Sequence, residues 1–230
     1  MAADPPVSDR VYHEIRRRLL AGDYRLHARL DVGALADGLG ASSTPVREAL
    51  VRLAAERLIT ARPSRGFFVS LWSESELRAL YEWRAWLAAG ALATHADAVP
   101  VAKDAIANDA VVDVPAAGAL VAGGAATGVE ANSGYPLRVA AILQSVEGRA
   151  NPELRRAGVN ADDRLHAARR AEAELFGDVD RELDDLAARL RQGAASSLRA
   201  ALRRYHGRRV KAAKLLRERA VLRALGGNGD

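Results

Sequence analysis

Apolar residues near the start of the chain recur at helical spacing. Val11, Ile15 and Leu19 are each separated by four positions, which places them on one face of an α-helix. Ser8 is a residue type that caps helices, and Gly22 is a type that ends them. The pattern therefore predicts a first helix from Ser8 to about Gly22, with its apolar face packed inward.

Two further helical segments follow closely. Residues 32–39 have one apolar side and are followed by Gly40, which predicts a short helix and then a turn. Thr44 is a natural N-cap, and Pro45 suits the first turn of a helix. Apolar positions at helical spacing from Val46 onward predict a third helix. A short helix, a turn and a capped helix in this order indicate a helix-turn-helix.

A predicted hairpin comes next. Residues 59–61 and 67–69 are apolar or β-branched runs, and residues 63–66 between them read Pro-Ser-Arg-Gly. Such runs around a turn sequence predict two antiparallel strands. A short extended piece is predicted at residues 29–30. The hairpin directly after the third helix is typical of the wing of a winged helix-turn-helix.

The remainder of the chain predicts helices. Ser73 and Glu76 form a capping-box pattern, which predicts the start of a long helix. Helical periodicity returns from Arg138, and residues 196–225 predict one long basic helix. Residues 96–135 are rich in Ala, Gly and Val, which predicts an irregular stretch with one or two short helices.

Composition supports a mainly α protein. Hydrophobic residues make up 49% of the 230 residues and aromatic residues only 5%, so the apolar mass is largely Ala, Leu and Val and suits helices. The predicted fold is an amino-terminal winged helix-turn-helix over residues 1–72 and a carboxy-terminal all-α helical bundle over residues 73–230.

Charge and residue usage narrow the classes of function. The net charge of +5 and the pI of about 9.9 favour polyanionic partners. The absence of cysteine excludes disulfides, thiolate metal sites and cysteine nucleophiles. No apolar run approaches the length of a membrane span, and no signal-peptide pattern opens the chain. We therefore expect a cytoplasmic protein without a membrane partner.

The start of the third helix carries the chemistry of DNA recognition. Three hydroxyl side chains precede or begin the helix, where free N–H groups and the helix dipole favour a phosphate. Arg47 lies one turn later, where a guanidinium can pair with guanine O6 and N7 in the major groove. Arg52 is expected at the DNA backbone, and Arg65 at the hairpin tip is expected in the minor groove or on its phosphates. The predicted DNA-contacting residues are Ser42, Ser43, Thr44, Arg47, Arg52, Arg65 and Gly66.

These segments resemble a known family. Residues 42–50 read Ser-Ser-Thr-Pro-Val-Arg-Glu-Ala-Leu and residues 65–69 read Arg-Gly-Phe-Phe-Val. They resemble the recognition segment and wing of the GntR family of bacterial transcription regulators, in its FadR-like (FCD) branch. The resemblance implies a homodimer that binds a short inverted repeat in double-stranded DNA, with a ligand-responsive helical domain. Ser43 stands where the family has a DNA-reading arginine, so one contact is shortened or lost.

Many members of this branch hold a divalent metal with one Asp and three His. Residues 137–142, where the Asp and the first His are expected, contain neither. Leu183 stands where another histidine is expected, after Glu182. Residues 149–154 resemble the family's Gly-Asn segment, and the family's Asp and His lie before it. Asp162 and His166 have a suitable spacing but lie after Asn151, so they are interpreted as coincidence. We therefore predict no metal and no cofactor.

A small effector is nevertheless expected from the resemblance. Arginines in a helical cavity suit a carboxylate or phosphate, because the guanidinium pairs with such groups in a bidentate way. For Arg164 and Arg169 the alternative is that both are solvated charges on a highly charged helix. The candidate ligand-binding residues are Arg84, Arg164, Arg169, Tyr205 and His206.

Together these patterns predict a sequence-specific DNA-binding transcription regulator. A repressor whose operator affinity changes when an organic acid binds the helical domain is the leading hypothesis. The alternative is a ligand-independent regulator whose helical domain serves only for dimerisation. An enzyme is not expected, because about 150 residues are too few for the aminotransferase-like domain found in some GntR proteins. No catalytic grouping stands out in the sequence.

Overall fold

The computed structural model describes residues 6–95, 134–148 and 150–226. The first part folds into the predicted winged helix-turn-helix, and the remainder is helical. We call them the winged-helix domain and the helical domain. The winged-helix domain contains α1 (Val7–Ala21), β1 (Arg29–Leu30), α2 (Val32–Leu39), α3 (Ser43–Ala55), β2 (Ile59–Arg62) and β3 (Gly66–Val69). The helical domain contains α4 (Glu74–His95), α5 (Tyr135–Glu147), α6 (Pro152–Leu175), α7 (Val179–Arg191), α8 (Ala195–Lys211) and α9 (Ala213–Gly226).

Two glycines end the first two helices as the sequence predicted. Gly22 and Gly40 both adopt left-handed backbone conformations, with φ of 84° and 60°. Both predicted helix starts were wrong. The first helix begins at Val7 rather than after a Ser8 cap, and the third begins after Ser42 rather than after Thr44. At the start of α1 the Arg10 N–H already donates to the Pro6 carbonyl at 3.2 Å, so the helical hydrogen bonds begin before Ser8.

The wing is a three-stranded antiparallel sheet in the order β1-β3-β2. Arg29 pairs with Phe68, and Thr60 pairs with Phe68 from the other side. The predicted extended piece at residues 29–30 thus completes the sheet. The core beneath it joins the sheet to the three helices, with Ile15, Leu50 and other apolar side chains inaccessible to solvent.

Helix α4 begins at the predicted capping box. The Ser73 N–H donates to Glu76 Oε2 at 2.7 Å, and the Glu76 N–H donates to Ser73 Oγ at 3.1 Å. The prediction of one continuous helix over residues 196–225 was wrong, because the chain breaks at Ala212 between α8 and α9. The break lets α9 pack back on α4 and α6, where Leu216 and Ala220 join a buried cluster.

The two domains contact each other directly. The Asn160 side chain on α6 donates to the Glu56 carbonyl at 2.8 Å, and Arg16 Nε on α1 donates to Asp163 Oδ2 at 2.9 Å. Of the predicted irregular stretch over residues 96–135, residues 96–133 lie outside the described residues, and Tyr135 already begins α5. None of the helices in the described part of the chain combines the length and apolar character needed to span a bilayer.

Candidate nucleic-acid interface

The start of α3 faces solvent. Ser42 is the N-cap residue in an extended conformation, and its side chain makes no capping hydrogen bond. Ser42, Ser43 and Thr44 are all exposed. The first N–H groups of a helix have no partner within the helix, so this end presents hydroxyls, N–H donors and a positive dipole to the surroundings.

Arg47 lies on the exposed face of α3, as predicted. Val46, Leu50 and Leu53 are buried against the domain core on the opposite face. Arg47 and Val51 are both exposed and lie four positions apart, so they share one side of the helix. This side offers a cation next to an apolar surface, which suits the mixed polar and methyl edges of the major groove.

Arg52 is already engaged within the domain. Its guanidinium lies 3.1 Å from Asp9 and 3.5 Å from Glu56, and it stacks 3.7 Å from the centre of the Tyr12 ring. The Tyr12 hydroxyl donates to Glu56 at 2.7 Å. These contacts attach α3 to α1. A contact of Arg52 with the DNA backbone stays a prediction. Within the domain, Arg52 holds the recognition helix α3 in place against α1.

The hairpin tip projects an arginine. Arg65 and Gly66 are exposed, and the Arg65 N–H donates to the Arg62 carbonyl at 3.0 Å to close the turn. Gly66 has a φ of 89°, a conformation that favours glycine. Arg62 stacks on the Phe68 ring at 4.7 Å, which stiffens the wing beneath the tip.

The candidate ligand-binding residues of the helical domain are not on one surface. Arg84 is fully buried and Arg169 is 1% exposed, which rules out the solvated alternative for Arg169. Both pair with Asp162: Arg84 Nε lies 2.8 Å and Arg169 Nη2 2.6 Å from Asp162 Oδ1. Arg84 also donates to Glu147. The two guanidiniums are thus neutralised by acids of this chain.

A second buried acid gathers the neighbouring tyrosines. The Glu172 carboxylate accepts from Tyr81 at 2.5 Å, from Tyr135 at 2.7 Å and from Tyr205 at 3.3 Å. Arg209 Nε donates to it at 2.8 Å. Because Arg209 and the tyrosine hydroxyls stabilise the charged form, Glu172 can remain ionised although it is fully buried.

His206 and Arg164 occupy different places. His206 is buried beside Tyr205, and its Nδ1 lies 2.9 Å from the Leu202 carbonyl. Burial, together with the positive charge of Arg84, lowers the pKa of His206 to about 3, so the ring is neutral at physiological pH. Arg164 is half-buried at the border between the two domains, away from this cluster.

Sequence reasoning did not identify the acids of this buried network. Asp162, Arg169 and Glu172 lie on the same side of α6 as Leu165 and Ala168, and all are buried. Charged residues in register with an apolar stripe were the signal that could have revealed them. Among the described residues, no group of three or more His, Cys, Asp or Glu could hold a metal ion.

Glycine makes room for one of these acids. A Cβ at position 158 would lie 2.2 Å from Glu147 Oε2, so Gly158 lets the Glu147 carboxylate approach α6 closely. Burial raises the pKa of Glu147 to about 7, although the positive charge of Arg84 acts in the opposite direction.

The raised pKa of Glu147 predicts a pH-dependent stability. Its folded-state pKa lies above the ordinary value of 4.5, so the folded protein holds a proton that the unfolded chain releases. This contribution is complete below about pH 4.5 and is lost as the pH rises through about 7. We expect the free energy of unfolding to fall more steeply between about pH 5 and about pH 8 in the wild type than in Glu147→Gln, measured by urea denaturation.

The comparison of the two proteins isolates Glu147. Burial also raises the pKa of Asp163 to about 6, but that group titrates in both proteins and cancels from the difference. Parallel stability profiles for the wild type and the variant would contradict the assignment.

The geometry defines a winged helix-turn-helix domain, with an exposed recognition helix and wing, joined to an α-helical domain. Residues 7–69 match the family model described as bacterial regulatory proteins, gntR family. The amino-terminal domain therefore matches the GntR family model, which confirms the resemblance of the recognition segment and the wing to that family. The family and the named relatives are regulators rather than enzymes.

One relative and two solved structures are similar to this chain. An uncharacterized HTH-type transcriptional regulator of Mycobacterium tuberculosis strain H37Rv is 39% identical over 61 residues, which are 26% of this chain and 25% of the relative. The match thus spans about a quarter of that protein's length.

The fold similarity extends over almost the whole chain. The structure of Escherichia coli McbR/YncC covers 92% of this chain and 99% of its own, with 17% identity and a TM-score of 0.58. A protein from Rhodococcus sp. RHA1, described as a GntR transcriptional regulator, covers 91% and 96%, with 19% identity and a TM-score of 0.60. At these identities the likeness shows the fold alone.

Proposed function

We propose that this protein is a cytoplasmic, sequence-specific DNA-binding regulator of transcription that acts as a homodimer, and that it represses its target genes. The observation that carries the proposal is the joint exposure of Arg47 on α3 and Arg65 at the wing tip. In a winged helix-turn-helix the recognition helix enters the major groove. The adjacent hairpin then meets the neighbouring backbone or minor groove.

Exposed aromatic residues support a dimer formed through the helical domain. Trp83 and Trp86 on α4 are both exposed, Trp86 at 70%, and they lie one turn apart on the same side. Because the two indole side chains are neighbours on one face, they form a continuous exposed apolar surface of the kind found at protein contacts. A two-fold dimer presents two recognition helices to one DNA duplex, which predicts an inverted repeat as the operator.

The interior of the helical domain bears on the question of an effector. Arg84 and Arg169 could bind an organic acid only if it displaced Asp162 or Glu147 from them, because these carboxylates already pair with the two guanidiniums. This observation favours the second candidate function, a regulator in which the buried network serves the stability of the dimerisation domain rather than binding an effector. The assignment to the FadR-like branch stays a prediction.

The test of DNA binding is selection from a library of random duplexes at about 150 mM salt. We expect the intact protein to enrich an inverted repeat and to bind it about a thousandfold or more tightly than a scrambled duplex, because specific binding exceeds non-specific binding by such factors. Fluorescence anisotropy measures both affinities. Equal affinities for selected and scrambled duplexes would show that the protein is not a sequence-specific regulator.

A further inference from the structure

A cleft of about 680 Å³ separates the two domains, a size typical of small-molecule sites. The end of α1, the turn before β2 and the end of β3 form its one side, and α6 and α9 form the other. We propose that this interdomain cleft binds a small organic anion through carboxylate or phosphate groups. The bound anion then fixes the winged-helix domain against the helical domain.

The cleft carries more positive than negative charge. Two of its three acids are already paired, since Asp163 binds Arg16 and Glu174 binds Arg219 and Arg223. The third acid is Asp23. The arginines that line the cleft are Arg25, Arg57, Arg164, Arg170, Arg219 and Arg223.

Among the described residues, only Arg219 and Arg223 of these six form an ion pair, and two of the other four also bury a donor without a partner. Within the described residues, Arg164 and Arg170 form no ion pair, and the Nε atom of each is buried without a hydrogen-bond acceptor. Arg170 donates through Nη1 to the Ala21 carbonyl, and Asp23 offsets only part of the effect of burial and of Arg223 on its charge. Unpaired buried donors of this kind are costly, and an anionic group in the cleft that accepted from them would satisfy them.

Neighbouring positive charges further disfavour the charged forms of Arg164 and Arg170. Burial and the positive charge of Arg57 lower the pKa of Arg164, and burial and the positive charge of Arg223 lower that of Arg170. Glu76 offsets part of the effect at Arg164, but it is engaged in the capping box with Ser73. Both arginines therefore lie in an environment that a bound anion would stabilise.

The cleft walls also suit an organic ligand rather than an inorganic ion, because part of their surface is apolar. Leu19 and Leu58 line it from the winged-helix domain, Trp72 from the connecting segment, and Leu222 from α9. A ligand with one or two anionic groups and a short carbon skeleton matches this mixture of guanidinium and apolar surface.

Because the cleft lies between the two domains, a bound ligand would connect them. Arg57 belongs to the winged-helix domain, whereas Arg164 and Arg170 belong to α6 of the helical domain. An anion that contacts both sides adds a bridge to the contacts that Asn160 and Arg16 already make. In a dimer, the position of each winged-helix domain sets the spacing of the two recognition helices, and this spacing decides operator affinity. Ligand binding and operator binding therefore become coupled. This coupling rests on the proposed function, whereas anion binding itself does not.

The experiment measures anion binding by the intact protein without DNA. Citrate and inorganic pyrophosphate are titrated at low ionic strength against sodium chloride of equal ionic strength, and the melting temperature is followed. We expect at least one of the two anions to raise the melting temperature by several degrees. A response to citrate alone identifies a carboxylate ligand, and a response to pyrophosphate alone identifies a phosphate ligand.

Variants locate the site. Arg164→Gln should raise the anion concentration needed for a given rise in melting temperature about tenfold or more. This is the loss of affinity expected when a hydrogen bond to a charged group is removed. Arg156→Gln is the matched control, because Arg156 lies on the same helix with its side chain 75% exposed, and it should respond like the wild type. Without ligand, Arg164→Gln should keep or raise the melting temperature, since the arginine has no ion-pair partner in the described structure. Arg57→Gln repeats the test from the other domain.

The outcomes distinguish a failure of the cleft assignment from a failure of the proposed function. If neither anion shifts the melting temperature more than chloride does, or if Arg164→Gln and Arg57→Gln respond like the wild type, the cleft assignment is wrong. Selection of an inverted repeat by a protein that binds neither anion would overturn the cleft alone. Anion binding through Arg164 in a protein that ignores DNA sequence would instead overturn the proposed function. An operator affinity unchanged by a bound anion would overturn the coupling.

Discussion

Replacement of Arg84 with methionine should lower the free energy of unfolding by about 3–5 kcal/mol. Arg84 is fully buried and pairs with Glu147 and Asp162. Methionine retains much of the volume but removes the charge, so the buried carboxylates lose a main cationic partner. Urea denaturation at neutral pH, followed by circular dichroism, measures the difference.

The matched control is Arg78→Met on the same helix. Arg78 pairs with Glu74 one turn earlier, but the two side chains are 46% and 43% exposed. Exposed helical pairs of this type contribute at most about 0.5 kcal/mol. If Arg84→Met cost no more than Arg78→Met, the buried network would not stabilise the helical domain as the structure indicates.

Replacement of Arg47 with alanine should cost about 1–3 kcal/mol of operator binding, which is roughly a 5- to 150-fold loss of affinity. The loss should fall on the selected duplex and leave scrambled duplexes much less affected, because a guanidinium in the major groove reads base edges. Anisotropy titrations with both duplexes measure the discrimination.

Arg65→Ala serves as the contrasting variant. Arg65 lies at the wing tip rather than on α3, where contacts with phosphates or with the minor groove are expected. Its removal should weaken binding to both duplexes by similar factors and reduce the dependence of affinity on salt. Undiminished discrimination by Arg47→Ala would show that another residue of α3 reads the bases.

The winged-helix domain was predictable because its signals are local. Gly40 ends α2 where the sequence suggested, and the hairpin strands formed around the Pro63-to-Gly66 turn. The capping box at Ser73 starts α4 as predicted. Each of these features depends on residues within a few positions of one another, so the chain sequence alone contains the relevant interactions.

The buried network was not predictable in the same way. Arg84 and Asp162 are separated by 78 positions, and Arg84 and Glu147 by 63. On a helix rich in charge, an arginine such as Arg169 has the pattern of a solvated residue until the neighbouring helices are placed around it. Burial and pairing are properties of the packed helices and not of the segment that carries the residue.

By itself the sequence determined the recognition helix and the wing, because apolar positions at helical spacing and glycine turns act over a few residues. Only the tertiary structure decided the helix break at Ala212, the pairing of Arg84 and Arg169 with buried acids, and the position of Arg164 in the cleft between the domains. The physical reason is that charge compensation and cavity shape depend on helices that are distant in sequence and meet only after folding.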